Sequence, residues 1–451
     1  MAANNIQEEY LMFQSERESN ARAYSRHFPF ILQKAQGVIV TDVEGNNYYD
    51  CLAGAGTLAL GHNHEVILTA IREVLDQQIP LHTLDLATPL KIEFMKEIIS
   101  SLPADFKSVA KIQFCGPTGA DAVEAAIKLV KQSTKGKSIL AFQGGYHGST
   151  QATMSMSGNL SKKQHLQSLL PDIHFLPFPN EFRCPFGIGN GLTATISAQY
   201  IENLLDDDES GIANPCCVIV ETIQGEGGVI PADLKWLYQL RRMTAERNIP
   251  LIIDEVQTGI GRTGKMFSFE HAGIIPDVII CSKAIGGSLP MSIVIYHKAL
   301  DQWQAGAHTG TFRGNQLGMA AGLATLKYLR EHLVLENVEE RSVQFFKRLY
   351  QLQQQYSEIG DVRGRGLMIG VEIVDSKKPT DLLGHHPPDG ELASTIQKRC
   401  FENGLIIEVG GRKGAVLRFL PPLIINRTET EKVLDIFADS VQQAVAMHAI
   451  C

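Results

Sequence analysis

Two stretches of the chain place ionisable side chains where buried strands would end. One is Pro250-Leu251-Ile252-Ile253-Asp254-Glu255-Val256-Gln257; the other is Pro276-Asp277-Val278-Ile279-Ile280-Cys281-Ser282-Lys283. Ligands of open α/β sheets collect beyond the carboxyl ends of the strands, so Asp254 and Lys283 are expected to face one crevice. A carboxylate at the rim of a low-dielectric core needs a cationic partner, and a protonated pyridine nitrogen would supply one. A partly desolvated lysine has a lowered pKa and becomes a nucleophile toward an aldehyde. Taken alone, the two residues fit equally well a strand-end Asp paired with an ordinary Lys or Arg.

Other stretches set glycines beside reactive groups. Phe114-Cys115-Gly116-Pro117-Thr118-Gly119-Ala120-Asp121 runs into a helical pattern in which Val123, Ile127 and Val130 share a face. Free N–H groups at such a helix start suit a phosphate, and Gly119 and Ala120 lack the bulk that would hold an anion away. A plain helix start capped by Thr118 or Asp121 fits the same residues. Gly144-Gly145-Tyr146-His147-Gly148 follows a strand pattern, and its glycines leave Tyr146 able to lie flat on a heteroaromatic ring or to pack in a surface turn. Gly259-Ile260-Gly261-Arg262-Thr263-Gly264 matches the dinucleotide pattern G-x-G-x-x-G. Lys265-Met266-Phe267-Ser268-Phe269 opens no good helix, however, and the acidic residue precedes the glycines, so NAD binding is not expected there. The histidines and cysteines lack metal-ligand spacing, and no metal site is expected.

The elements that must position these groups follow from periodicity. Two alternating apolar runs around Glu44-Gly45-Asn46-Asn47 predict a hairpin. From residue 60 to 325, short apolar strands (138–142, 216–221, 250–254, 277–281 and 291–296) alternate with helical patterns. Nearly all-apolar strands are what a sheet covered on both faces requires, and the alternation predicts a mostly parallel sheet in a three-layer α/β domain. Beyond about residue 330 come a polar helix, strands at 367–373, 405–408 and 415–419, and a last helix over 428–447. Residues 60–325 are therefore read as a large α/β domain, and 1–59 with 326–451 as a smaller α+β domain. The 451 residues suffice for two cores. A net charge of −8 argues against a nucleic-acid or anionic-membrane partner. Residues 1–19 are polar and acidic, unlike a signal peptide, and no apolar run reaches membrane-spanning length. Eight scattered cysteines read as reduced thiols, so a cytoplasmic enzyme is expected.

Together these motifs resemble the class III (ω-) aminotransferases, fold type I pyridoxal-phosphate enzymes, from about residue 28 to the C-terminus. The resemblance rests on Gly145-Tyr146-His147-Gly148, Glu221-Thr222-Ile223-Gln224-Gly225-Glu226-Gly227-Gly228, Asp254 through Gly264, Ser282-Lys283, and Arg418 in Leu417-Arg418-Phe419. Each motif is weak singly; their order and spacing are specific. The resemblance implies pyridoxal 5′-phosphate bonded to Lys283, which then shuttles a proton. Asp254 would face the ring nitrogen, Gln257 the ring hydroxyl, and Tyr146 with His147 the ring face. Gly119 and Ala120 would hold the phosphate, and Thr311 would reach a phosphate across the interface of a homodimer with shared active sites. Arg418 would bind the α-carboxylate of glutamate and 2-oxoglutarate, with Glu226 as a gate that pairs with Arg418 when an amine-bearing substrate is present.

Departures from the broader family narrow the expected substrate. Ser149 stands where some γ-aminobutyrate enzymes carry an arginine, Ala55 is small, and the phosphate turn and Thr311-Phe312-Arg313-Gly314-Asn315-Gln316 are variants. With 52–62 and 81–85, they are similar to the branch that exchanges an amino group between glutamate and L-aspartate 4-semialdehyde, giving L-2,4-diaminobutyrate and 2-oxoglutarate in a ping-pong cycle. An ornithine or 4-aminobutyrate specificity is the alternative. The specificity follows from resemblance alone.

Overall fold

The structure is a computed structural model and describes residues 6–448; Cys451 and the first five residues of the acidic N-terminal segment lie outside it. The central sheet has seven strands: β1 Ala110–Phe114, β2 Ser138–Phe142, β3 Ile173–Leu176, β4 Pro215–Val220, β5 Leu251–Asp254, β6 Val278–Cys281 and β7 Ile293–His297. Their spatial order is β1-β7-β6-β5-β4-β2-β3. All neighbouring pairs from β6 to β3 are parallel, while β7 runs antiparallel to both β6 and β1. β2, β5 and β6 are buried along their whole length, which is why their sequences are almost wholly apolar.

Strands β1 and β3 escaped the sequence reading. Both are sheet edges, and Lys111, Gln113 and His174 show that an edge strand need not be apolar on both faces. The helix predicted after residue 119 spans Gly119–Thr134 and turns Ala122, Val123, Ala126, Ile127 and Val130 into the core. It begins with a reciprocal cap: the Asp121 N–H donates to Thr118 Oγ1 and the Thr118 N–H to Asp121 Oδ2. The capped start and the open glycine therefore coexist.

The hairpin around residue 45 forms between Ile39–Asp42 and Asn47–Asp50, with Val40 opposite Tyr48. Toward the C-terminus, Ile359–Arg365, Met368–Ile373, Val416–Phe419 and Glu408–Gly410 make an antiparallel sheet. Here one expectation is corrected. The run 405–408 is not one strand; it breaks at Ile407 into Leu405–Ile406 and Glu408–Gly410. The first piece pairs in parallel with Asn47–Asp50 and the second joins the antiparallel sheet. Ile407 is fully buried between them. Periodicity over four apolar-rich residues could not show the change of sheet. Helices Val334–Gln355, Gly390–Glu402 and Arg427–His448 accompany this part of the chain. Among the described residues, no helix is long and apolar enough to cross a membrane.

Candidate active site

Parallel neighbours put their carboxyl ends at one edge of the sheet. Asp254 is the last residue of β5 and lies in register with Ile280 of β6; Lys283 follows the end of β6 at Cys281 by two residues. On the other side, β4 delivers Glu221 to Glu226, and β2 delivers Gly144 to Gly148. The start of helix Gly119–Thr134 arrives at the same edge from β1. Asp254, Lys283, Gly119, Ala120, Tyr146, His147, Gln257 and Glu226 accordingly line one cavity of about 470 Å³. Tyr146, Ser149, Glu226 and Lys283 also line a neighbouring cavity of about 820 Å³, which runs past Tyr24 and Glu408 to Arg412.

Lys283 is held in an unusual backbone conformation, with φ +49°. A non-glycine residue in that region costs about 1–3 kcal/mol and persists where the surroundings impose it. Gly287 ends the short helical turn Lys283–Gly286 with φ +54°, and a Cβ there would meet Ala321 O at 2.3 Å. The turn is thus pinned against the helix Gln316–Glu331. No hydrogen bond or ion pair engages Lys283 Nζ among the described residues. Burial pushes its pKa below the ordinary lysine value, more than nearby Glu226 can offset, which favours the neutral, nucleophilic amine.

Asp254 is buried, and its partner is neither Lys nor Arg but His147. Oδ2 lies 2.8 Å from His147 Nδ1, and Oδ1 accepts the Val256 N–H at 3.0 Å. Against an ionised carboxylate the imidazole must donate, so the proton sits on Nδ1. His147 thereby braces the carboxylate that faces the cavity. Tyr146 is exposed to both cavities, with its hydroxyl 3.1 Å from Ser149 Oγ. Gln257 donates from Nε2 to the Ala55 carbonyl at 3.0 Å. A Cβ on Gly225 would sit 2.1 Å from Gln257 Oε1, so that glycine is what admits the amide.

Arg418 is almost completely buried, and its Nη2 meets two carboxylates: Glu226 Oε1 at 2.9 Å and Glu408 Oε2 at 2.7 Å. Burial works against the Arg418 charge, but the two acids together raise its pKa. Burial pushes both Glu226 and Glu408 up; Arg418 overrides it at Glu226, which lies below the usual carboxylate range, but not at Glu408, which stays above it. Arg418 Nε and Nη1 are buried without a hydrogen-bond partner, two donors left over for an acceptor that the protein does not supply. Thr311 lies outside both cavities, exposed at the start of the turn Thr311–Gly314, and its carbonyl meets His82. The structure of one chain does not bring it to the other residues.

Three residues of the site were not singled out from the sequence. Glu221 is buried beside Asp254 and accepts the Tyr146 N–H at 3.3 Å; burial, then the Asp254 charge, raises its pKa strongly. Glu408, the partner of Arg418, and Tyr24 line the larger cavity, where burial and Glu408 push the Tyr24 phenol up. Glu221 directly follows β4, at the sheet edge where Asp254 ends β5, a signal that position in the motif already carried.

A family model for aminotransferase class-III matches residues 20–441. The chain belongs to the class III aminotransferases. This aminotransferase is 52% identical over 424 residues to the diaminobutyrate--2-oxoglutarate aminotransferase of Rhizobium meliloti, covering 94% of the chain and 90% of that protein. It is 51% identical over 436 residues to the enzyme of the same name from Haemophilus influenzae, covering 97% and 95%. A solved structure from a directed-evolution study of transaminases by ancestral reconstruction superposes with a TM-score of 0.86 at 26% identity, covering 98% of this chain and 100% of that one.

As a class III aminotransferase the protein takes pyridoxal 5′-phosphate as its cofactor. The residues present fit it. An unpartnered lysine amine, a braced carboxylate and a glycine-opened helix start line a single cavity, matching an aldehyde, a cationic ring nitrogen and a phosphate.

Proposed function

We propose that the aminotransferase moves an amino group between glutamate/2-oxoglutarate and L-aspartate 4-semialdehyde/L-2,4-diaminobutyrate in a ping-pong cycle. The reading is carried by Arg418, buried and held between Glu226 and Glu408, two residues that line the cavity with Lys283. The substrate pair is supported by relatives of that name at 51–52% identity over nearly the whole chain.

Bound pyridoxal phosphate supplies an electron sink for the carbon that loses its proton. The chain's own residues do the rest. Lys283 Nζ takes the proton from the substrate carbon and returns it at the other end of the transfer, helped by a pKa that burial has lowered. Asp254, braced by His147, would hold the ring nitrogen, and Gln257 the ring hydroxyl. Tyr146 would cover the ring, and the Gly119 and Ala120 N–H groups would bind the phosphate.

Arg418 takes the α-carboxylate of glutamate through its free fork of donors. When the diamine enters with its ω-amine, Glu226 stays on Arg418, so no guanidinium is left unpaired. The same surroundings thus serve two unlike substrates. A homodimer is part of this proposal. Leu81, Leu84, Leu86 and Phe312 are exposed around the segment that carries Thr311, an apolar patch suited to a second copy. A cytoplasmic setting is supported by seven unpaired cysteines among the described residues.

The test is glutamate formation from 2-oxoglutarate with a panel of donors. L-2,4-Diaminobutyrate is expected to give the highest kcat/KM; a higher value for ornithine or 4-aminobutyrate would overturn the substrate assignment.

A further inference from the structure

Both amino donors carry a carboxylate far from the reacting carbon. In glutamate it is the γ-carboxylate and in L-2,4-diaminobutyrate, reacting through its ω-amine, the α-carboxylate. Each lies the same number of carbons from the carbon that reacts, so one cation at a fixed distance can receive both. Ser149 is neutral, and its hydroxyl is already engaged by Tyr146. Arg418 serves the other end. The larger cavity must therefore supply another cation.

Beside the reacting Lys283 and the imidazole of His27, three cations line it: Lys162, Arg412 and Lys413. Arg412 occupies the turn Arg412–Gly414 that joins Glu408–Gly410 to Val416–Phe419, the hairpin bearing Glu408 and Arg418. Its position relative to Arg418 is thus fixed by sheet pairing. Its Nη2 lies 3.2 Å from where a Cβ would stand on Gly144, so the absence of a side chain there gives the guanidinium its room. Among the described residues it makes no hydrogen bond or ion pair. The acid that acts on it, Glu372, is already bonded to Arg183 at 2.9 Å and Arg363 at 2.8 Å. A planar fork of donors beside the cavity, with no partner of its own, is suited to a carboxylate.

We propose that Arg412 is the specificity residue that binds the distal carboxylate of both donors. The assignment rests on the proposed aminotransfer and deepens it. It predicts that the enzyme prefers L-2,4-diaminobutyrate to 1,3-diaminopropane, which is the same diamine without the carboxylate.

The test uses the holoenzyme and donor kcat/KM, which in a ping-pong cycle is independent of the acceptor step. In Arg412→Ala the ratio of kcat/KM for diaminobutyrate over 1,3-diaminopropane should fall by about 10- to 100-fold, the loss expected for a hydrogen-bonded charge pair. Arg412→Lys should give an intermediate ratio, and millimolar guanidinium should restore part of the Ala variant's activity toward diaminobutyrate. A ratio unchanged within twofold in Arg412→Ala, or a collapse of the ratio in Lys162→Ala instead, would overturn the assignment. Should the wild type reject diaminobutyrate but use 4-aminobutyrate, the substrate reading fails separately. The Arg412 test then runs on 4-aminobutyrate against propylamine with the same criteria.

Discussion

Glu408 and Arg418 are direct partners across two antiparallel strands, and their side chains close to 2.7 Å on the buried side of the sheet. The same Nη2 also receives Glu226 from the far side of the cavity at 2.9 Å. One guanidinium therefore carries two carboxylates, one fixed by strand register and one on the segment after β4. Arg418→Ala should slow the half-reaction with glutamate by about 100-fold or more, because a buried charge partner is lost. The half-reaction with the diamine should suffer much less. Stopped-flow spectra of the two half-reactions decide it; equal losses would refute the carboxylate switch.

Lys283→Ala should abolish turnover and the visible chromophore that borohydride reduces. The substitution removes the amine together with its methylene stem and leaves the positive-φ backbone in place. Retention of wild-type activity would remove the basis of the proposed function.

His147→Ala leaves Asp254 with the Val256 N–H alone. Loss of one hydrogen bond to a buried charge is worth about 1.5–3 kcal/mol, so affinity for pyridoxal phosphate should fall by roughly 10- to 100-fold. Titration of the apoenzyme, followed by absorbance, measures this. An unchanged affinity would mean that the imidazole does not brace the carboxylate.

Glu255, next to Asp254 but facing the other way, is buried and bonded to Thr258 Oγ1 and the Phe269 N–H. Burial raises its pKa from the ordinary 4.5 to about 7, against the pull of those bonds. Between these values the unfolded chain releases the proton while the folded chain keeps it. The stabilising contribution is therefore full below pH 4.5 and is lost as pH rises through about 7. Glu255→Gln, which cannot ionise, should gain Tm relative to wild type at pH 8 and not at pH 4.5. A constant Tm difference across that range would contradict the assignment.

The elements nearest the chemistry were legible early because burial on both faces writes itself into composition. β2, β5 and β6 are runs of apolar residues, and Asp254 and Lys283 stand out at their ends. Edge strands β1 and β3 carry Lys111, Gln113 and His174 and gave no such signal. The run 405–408 looked like one strand because periodicity cannot tell which sheet each half will join. The glycine run 259–264 matched a dinucleotide motif, and the structure follows it with no long helix.

The sequence by itself determined the identity and order of the reacting groups: a lysine, a carboxylate, a glycine-opened helix start and an arginine, at spacings specific enough to assign the class. Local chemistry and periodicity suffice for that, since each motif is short and self-contained. Only the tertiary structure decided which side chains meet. His147 on Asp254, Glu408 on Arg418, Gln257 on the Ala55 carbonyl and Arg412 beside bare Gly144 each join positions on different elements. Such pairings depend on strand order and register, which are set by how whole faces pack and not by any residue's near neighbours in the chain.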